Sequence, residues 1–144
     1  MDMYYNNSVN IYRKNGGIIL KKVIATSKAP GAIGPYSQAI MTGNLIYTSG
    51  QLPMDAETGE MVANDIVLQT RKSLQNVKAI LEEAGSSMDK IVKTTVYLSD
   101  MANFGKMNEV YKEFFTGDYP ARSAFQVARL PKDALVEIEV VAIV

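Results

Sequence analysis

Two charged side chains in the C-terminal third of the chain have the types and the spacing for chemistry on a small acid. Arg122 lies within Tyr119-Pro120-Ala121-Arg122-Ser123, and Glu137 lies in the last apolar segment, beyond the turn at Arg129-Leu130-Pro131. A guanidinium binds a carboxylate through two parallel hydrogen bonds and stays charged at any working pH. A glutamate can take a proton from water. We expect the turn to bring the two side chains together around a small carboxylic acid that reacts with water.

The residue types that the chain lacks exclude several kinds of site. The 144 residues include no His and no Cys, which excludes a Ser-His-Asp triad, a thiolate nucleophile and any zinc or iron site built on those ligands. The acidic residues show no calcium-loop spacing, so we expect no metal and no other cofactor. Fifteen basic residues balance fifteen acidic ones, so the net charge gives no general attraction to nucleic acid or to an anionic membrane.

The first twenty residues differ in composition from the rest. Residues 1–15 are rich in Asn and Tyr, show no periodicity and lack the apolar core of a signal peptide. We interpret residues 1–20 as an N-terminal extension that is disordered, or as a start-site artefact, because a ribosome-binding sequence can encode Gly16-Gly17 and an alternative start codon can encode Leu20. Residues 21–144 then form a single domain. No apolar run approaches the roughly 20 residues that span a bilayer, and we expect a cytoplasmic protein.

From Lys21 onward the hydrophobic pattern predicts an alternation of strands and helices. Segments rich in β-branched or alternating apolar residues predict six strands, at 22–26, 36–41, 45–49, 91–98, 123–128 and 135–144. Thr42-Gly43-Asn44 predicts a hairpin between the second and third of these. Apolar residues at three- and four-residue steps predict a helix that begins after Asn64 or Asp65 and ends at Gly85, and a second helix with an apolar face from Phe104 to Phe115.

The order of these elements predicts an α+β fold, in which two helices cover one face of a mixed sheet of about six strands. The other face still carries Val, Ile and Leu side chains, which would be exposed to water in a single copy of the chain. Association with copies of the same chain is the simplest way to bury that face. A site at the edges of the strands would then be shared between subunits.

Six separated motifs occur in the order that is typical of one known family. From about Lys21 to Val144 the chain resembles the Rid proteins, also called the YjgF or L-PSP family, which are reactive-intermediate (enamine/imine) deaminases. The motifs are Gly34-Pro35-Tyr36-Ser37-Gln38-Ala39, Thr48-Ser49-Gly50-Gln51, Asn76-Val77-Lys78-Ala79-Ile80-Leu81, Lys93-Thr94-Thr95-Val96, Tyr119-Pro120-Ala121-Arg122-Ser123 and Val127-Ala128-Arg129-Leu130-Pro131.

The resemblance implies a fold, an assembly and an activity. The fold is chorismate-mutase-like, and the assembly is a homotrimer with three sheets around a central barrel and ligand clefts between subunits. The implied ligands are small 2-imino and 2-oxo acids. The implied reaction is hydrolysis of 2-iminobutanoate or 2-iminopropanoate, the unstable products of threonine and serine dehydratases, to 2-oxo acids and ammonia. Neither a membrane nor a nucleic acid is expected as a partner.

The resemblance also implies roles for individual residues. Arg122 matches the arginine that binds the carboxylate, and Glu137 matches the acid that orients the attacking water. The matching pocket positions are Tyr36, Ser49 and Asn108, together with the backbone amides of Gly50 and Ala124. Many deaminases of the family have a cysteine where this chain has Ala124, so a role for a thiol there is lost.

Each of these residues also has an ordinary structural explanation, and two other functions stay open. Tyr36 is equally a core aromatic residue, Ser49-Gly50 a plain turn, and Arg122 and Glu137 solvated surface charges. One alternative function is a binding module that captures a small carboxylate without turnover. The other is a ribonuclease or translation inhibitor, against which the zero net charge and the absence of a basic, aromatic-interleaved stretch argue.

Overall fold

One mixed β-sheet forms the frame of the protein. The computed structural model describes residues 3–6, 9–14 and 17–144, with side chains from residue 20 onward. The strands are β1 (Met3–Asn6), β2 (Val9–Lys14), β3 (Gly17–Ile24), β4 (Ala39–Thr42), β5 (Leu45–Thr48), β6 (Ile91–Leu98), β7 (Ala121–Gln126) and β8 (Val136–Ile143). Their order in the sheet is β1-β2-β3-β4-β5-β8-β6-β7. The β6–β7 pair is parallel, and the other described pairs are antiparallel.

The predicted α+β, chorismate-mutase-like fold is confirmed. Strands β3 to β8 correspond to the six predicted strands, and the helices α1 (Ile66–Glu83) and α2 (Phe104–Tyr111) to the two predicted helices. The hairpin at Thr42-Gly43-Asn44 joins β4 to β5, and Gly43 has the positive φ of 57° that such a turn requires. Four-residue strands on both sides keep this hairpin short.

The segment before Lys21 is the one interpreted from the sequence as a disordered extension or a start-site artefact over residues 1–20, and that interpretation stays a prediction. Its described residues lie in β1, β2 and the first half of β3, which continue the sheet beyond β4 as antiparallel strands. The sequence carries a signal for this, because Asn15-Gly16 is a dipeptide that favours two-residue hairpin turns. Both of those residues lie outside the described ones, and the interpretation of Gly16-Gly17 as an encoded ribosome-binding sequence stays a prediction. The domain boundary at Lys21 stays a prediction.

Helix α1 begins and ends where its capping residues predict. The Asp65 side chain accepts a hydrogen bond of 2.9 Å from the backbone N–H of Leu68, and Gly85 follows the last turn with a φ of 81°. The helix packs its buried residues, which include Leu74, Val77 and Leu81, against β8 and β5. Among the described helices none is long and apolar enough to cross a lipid bilayer.

The two faces of the sheet have different surroundings. Alternate residues of β8 such as Ile138 and Val140 are buried with the helices in the core, and we call this side the helix face. The intervening residues lie on the opposite side, the open face. Large apolar side chains remain exposed there: Tyr47 by 45%, Phe125 by 46% and Ile143 by 38%. A second molecule would bury this surface, as predicted from the pattern of β8.

Two of the strands begin at residues that differ from the predicted ones in a way that affects candidate site residues. The strand predicted at 36–41 begins at Ala39, because the Gln38 amide instead donates to the carbonyls of Ala29 and Pro30 (3.2 and 2.8 Å) and holds the preceding residues as a loop. Tyr36 therefore lies in a loop. The strand predicted at 123–128 is β7, which begins at Ala121 and so includes Arg122.

Candidate functional site

Arg122 lies on the edge strand β7, on the helix face of the sheet. Its partner in the parallel β6–β7 register is Thr94, which is fully buried beneath α2. The guanidinium donates a hydrogen bond of 2.7 Å from Nη1 to Oδ1 of Asn108 on α2. Its other N–H groups make no hydrogen bond to the described residues, so one edge of the donor fork is free for a carboxylate.

Two aromatic rings of α2 lie beside the same guanidinium. The Cζ atom of Arg122 is 4.7 Å from the centre of the Tyr111 ring and 5.4 Å from the centre of the Phe104 ring. A cavity of about 470 Å³ opens next to it and is lined in part by Asn108 and Tyr119. This cavity has room for a small acid, and Arg122 is the side chain there that can bind a carboxylate as a bidentate partner.

Glu137 lies on β8, on the open face. A second cavity, of about 390 Å³, exposes its carboxylate together with Tyr36, Ser49 and Gly50. A reciprocal pair of backbone hydrogen bonds positions these residues. The N–H of Gln51 donates to the carbonyl of Ile138 at 2.8 Å, and the N–H of Ile138 donates to the carbonyl of Gln51 at 3.2 Å. These hydrogen bonds hold the Ser49–Gly50 turn directly over the start of β8.

The electrostatic environment of Glu137 favours its protonated form. Burial raises the pKa of the Glu137 carboxyl, and the neighbouring carboxylate of Glu139 raises it further. No described residue donates a hydrogen bond to Glu137, whereas Glu139 accepts one of 2.8 Å from the hydroxyl of Tyr97. Burial, with help from Glu139, raises the pKa of Tyr97 to about 12, so this hydroxyl keeps its proton. A carboxylate in such a setting binds a proton more readily than an ordinary glutamate, which suits it to accept one from water.

Gly50 provides the space in which the Glu137 carboxylate lies. A Cβ atom at residue 50 would overlap Oε1 of Glu137 and would lie only 2.8 Å from its Cδ. The Gly50 N–H has no acceptor among the described residues and lies in the wall of the same cavity. Gly50 is therefore both a free backbone donor and the reason that the carboxylate reaches its place.

We expect Gly50→Ala to displace the Glu137 carboxylate by about 1 Å, and thereby to slow any reaction in which this carboxylate takes part by about tenfold or more. The thermal midpoint should stay close to that of the wild type, because the end of a flexible glutamate side chain can move aside at little cost. Gly117→Ala is the matched control, because a Cβ there meets nothing within 4 Å. Measuring both variants by steady-state kinetics and thermal unfolding checks this; full activity in Gly50→Ala would contradict it.

Within one chain the structure does not bring Arg122 and Glu137 together. Arg122 pairs with Thr94 on the helix face, whereas Glu137 pairs with Tyr97, whose side chain lies on the open face. The expectation that the turn before Pro131 folds the two around one ligand is therefore wrong for a single chain. The cause is the position of β6 between β7 and β8, which separates the two strands and places the side chains on opposite sides of the sheet.

The other candidate residues divide between the two cavities. Tyr36, Ser49 and Gly50 accompany Glu137, and Asn108 accompanies Arg122. The Ser49 hydroxyl is already engaged, because it donates a hydrogen bond of 2.6 Å to the carbonyl of Ser37. Ala124 lies two residues beyond Arg122 on β7, packs against the core and is outside the lining of either cavity in the part of the chain that the structure describes.

Lys132 is a cavity residue that the sequence did not reveal. It lies in the wall of the Glu137 cavity, and it has a left-handed backbone, with a φ of 55°, as does Asp133 with 54°. Arg129 braces this turn through a bidentate pair with Asp133, at 2.7 and 3.1 Å. Two successive non-glycine residues with positive φ are uncommon and require such support. No pattern in the sequence indicates this conformation.

Comparisons with known proteins agree on one family. The family model described as Endoribonuclease L-PSP matches residues 26–144. A RutC family protein of Pyrococcus abyssi is 58% identical over 122 residues, covering 85% of this chain and 96% of that protein. The human 2-iminobutanoate/2-iminopropanoate deaminase is 47% identical over 125 residues, covering 87% and 91%. The crystal structure of Escherichia coli TdcF with bound serine is similar with a TM-score of 0.82 and 50% identity, covering 85% and 98%.

Proposed function

This chain belongs to the endoribonuclease L-PSP family, and we propose that it is a deaminase that hydrolyses small 2-imino acids to 2-oxo acids and ammonia. Relatives of the chain at 47–51% identity carry the names 2-iminobutanoate/2-iminopropanoate deaminase and reactive intermediate deaminase. The observation that carries the proposal is the pair of cavities. One presents a free guanidinium edge at Arg122, and the other presents the uncompensated carboxylate of Glu137.

Arg122 binds the carboxylate of the 2-imino acid in this proposal. Two charge-assisted hydrogen bonds from the free edge of the guanidinium fix the acid, and the imine carbon next to it then has one orientation toward the attacking water. Asn108 occupies the opposite edge of the same fork. The backbone N–H of Gly50 is available as a further donor to the ligand, at the wall of the cavity that contains Glu137.

Glu137 transfers the protons. A water molecule adds to the carbon of the protonated imine while Glu137 accepts one proton from that water, which leaves a neutral carbinolamine. Glu137 returns the proton to the nitrogen, the C–N bond breaks as the C=O bond forms, and the hydroxyl proton passes to the departing ammonia, directly or by way of Glu137, which is left ionised for the next cycle. The products are the 2-oxo acid and ammonium. The raised pKa of Glu137 makes its carboxylate a stronger base toward the attacking water than an ordinary glutamate.

The complete site requires a second copy of the chain, and we propose a homotrimer with clefts between subunits. Arg122 of one copy and Glu137 of the next would then bind one ligand, which their positions on opposite faces of the sheet preclude within a single copy. The exposed apolar residues of the open face support association. Heterologous contacts that close into a ring give each cleft the same two contributors.

We expect a particle of about three times the 15.8-kDa chain mass. Light scattering coupled to size-exclusion chromatography at micromolar concentration measures this directly. Substituting Lys for exposed Phe125 on the open face should weaken the assembly, because it places a charge in an apolar contact. A wild-type chain that stays monomeric would exclude the shared cleft.

A coupled assay tests the proposed reaction. Threonine dehydratase generates the imine in the cuvette, and trapping of the remaining imine by semicarbazide reports how fast it is lost with and without this protein. The decisive outcome is imine loss that increases in proportion to the protein added. Imine loss at the uncatalysed rate, with 2-oxobutanoate still bound, would instead identify a module that binds small carboxylates. The serine in the TdcF structure shows that a relative binds a small amino acid.

A ribonuclease is the second candidate, because the family description names that activity. The chain has zero net charge and no histidine, so the electrostatic attraction that dominates RNA affinity is weak. RNA binding that falls steeply between low and physiological salt would favour this candidate. Cleavage of RNA that survives Arg122→Ala and Glu137→Gln would place it outside the site described above.

A further inference from the structure

Three residues on one face of α2 contact the same side chain, that of Arg122 on β7. Phe104, Asn108 and Tyr111 follow one another by four and three residues, the spacing that aligns side chains on one face of a helix. All three contact the guanidinium of Arg122: the two rings at 5.4 and 4.7 Å, and the Asn108 amide oxygen at 2.7 Å. This face of α2 is therefore shaped around one cation.

Tyr111 is the most firmly held member of this set. Its side chain is 4% exposed, and its hydroxyl shares a hydrogen bond of 2.8 Å with the hydroxyl of fully buried Thr94. Thr94 is also the residue opposite Arg122 in the β6–β7 register. Tyr111 is thus fixed to the strand that neighbours β7, so the distance between its ring and the backbone of Arg122 is fixed as well.

We infer that Tyr111 is a positioning residue for Arg122, and that its ring holds the plane of the guanidinium so that the free N–H edge faces a ligand carboxylate. The inference rests on the proposed function in taking Arg122 as the carboxylate-binding residue. An arginine side chain has many rotamers, and a bidentate contact requires one plane. The ring face attracts the cation, the hydrogen bond to Asn108 fixes the rotation of the guanidinium, and the Phe104 ring adds a longer contact at 5.4 Å.

The chemistry of the tyrosine is suited to this role. Burial raises the pKa of the Tyr111 hydroxyl, so the ring is neutral at working pH. The hydroxyl itself is engaged in its hydrogen bond with Thr94. The ring, and not the hydroxyl, is therefore the part that acts on Arg122. This distinguishes Tyr111 from a tyrosine that exchanges protons with a substrate.

A double-mutant cycle with calorimetric binding of 2-oxobutanoate tests the inference. Tyr111→Leu should raise the Kd about tenfold, because it removes a partly desolvated cation–π contact. In an Arg122→Ala background the same substitution should change the Kd by less than about twofold, because positioning acts only through the guanidinium. Tyr111→Phe keeps the ring and should stay within about threefold of the wild-type Kd while unfolding at a lower temperature, because Thr94 loses its partner.

The possible outcomes separate the positioning role of Tyr111 from the proposed reaction. Equal effects of Tyr111→Leu with and without Arg122, or a wild-type Kd in Tyr111→Leu, would overturn the positioning role while leaving imine hydrolysis by the wild type intact. Should Tyr111→Leu fail to fold, Phe104→Leu takes its place in the same cycle, with a smaller expected effect because that ring is farther away. A wild type that binds 2-oxobutanoate but leaves the imine intact refutes the proposed reaction alone. A wild type that does not bind 2-oxobutanoate refutes the positioning role too.

Discussion

Arg122→Ala is expected to lower kcat/KM for imine hydrolysis by at least ~100-fold. Each charge-assisted hydrogen bond to a carboxylate contributes about 1.5–3 kcal/mol, and a bidentate pair loses two of them. Because about 1.4 kcal/mol corresponds to a factor of ten in rate, a ~100-fold loss is the lower end of this range. Arg122→Lys keeps the charge without the planar fork and should recover only part of the activity. Steady-state kinetics in the coupled assay measures all three proteins.

A matched control separates this effect from the loss of any surface arginine. Arg71 on α1 also forms a bidentate pair, with Glu113 at 2.5 and 3.3 Å, but it lines neither of the two cavities and is partly exposed at the surface. Arg71→Ala should therefore leave kcat/KM unchanged, since exposed ion pairs contribute little. Light scattering first confirms that each variant forms an assembly of the same size as the wild type. Wild-type kinetics in a correctly assembled Arg122→Ala variant would remove Arg122 from the site.

The fold could be predicted from the sequence because its elements carry strong periodic signals. Helix α1 has apolar residues at regular steps between Asp65 and Gly85, and both ends lie where those residues indicate. Strand β8 alternates apolar and acidic residues from Val136 to Glu139, so the side of the sheet that Glu137 occupies follows from buried Val136 and Ile138. Such local patterns survive in the fold because burial and backbone conformation favour the same outcome.

The face on which Arg122 lies could not be predicted in the same way. Strand β7 reads Ala-Arg-Ser-Ala-Phe-Gln, which has no alternation, and as an edge strand it is partly exposed on both sides. Its parallel pairing with β6 comes from the crossover through α2, and no local signal sets that register. The relation between Arg122 and Glu137 therefore depended on tertiary structure. A short turn between two charged residues does not by itself bring them together.

The surroundings of the two charged groups also required the structure. Phe104, Asn108 and Tyr111 have helical spacing, but apolar residues at that spacing generally indicate a core, and here they pack on a cation as well. The contact between Gly50 and Glu137 joins a loop after β5 to the start of β8, residues far apart in the chain. That Gly50 leaves space for the Glu137 carboxylate can be seen only when the position of β8 is known.

Glu137→Gln is expected to lower turnover by about 10²–10⁴-fold, the usual contribution of a positioned proton acceptor. The change keeps the shape of the side chain and removes its charge, so binding of 2-oxobutanoate should persist. Wild-type kcat/KM, after subtraction of the uncatalysed rate, should fall as the pH drops through the raised pKa of Glu137, at a higher pH than an ordinary glutamate would give. Glu139→Gln removes a charge that raises this pKa and should move the acidic limb to lower pH. An unmoved limb would assign it to another group.

Mixed assemblies of the two inactive variants should recover activity if, as proposed, each cleft takes Arg122 from one copy and Glu137 from another. In a trimer that contains both Arg122→Ala and Glu137→Gln chains, one of the clefts combines the intact Arg122 of one variant with the intact Glu137 of the other, whichever variant is in excess. Co-expression with two affinity tags and purification through both should therefore yield about a third of the wild-type activity, far above either variant alone. Purified homotrimers of each variant, mixed without subunit exchange, are the control and should stay inactive. Mixed trimers as inactive as their parents would show that the two residues act from the same chain, or on different ligands, and the shared cleft would have to be abandoned.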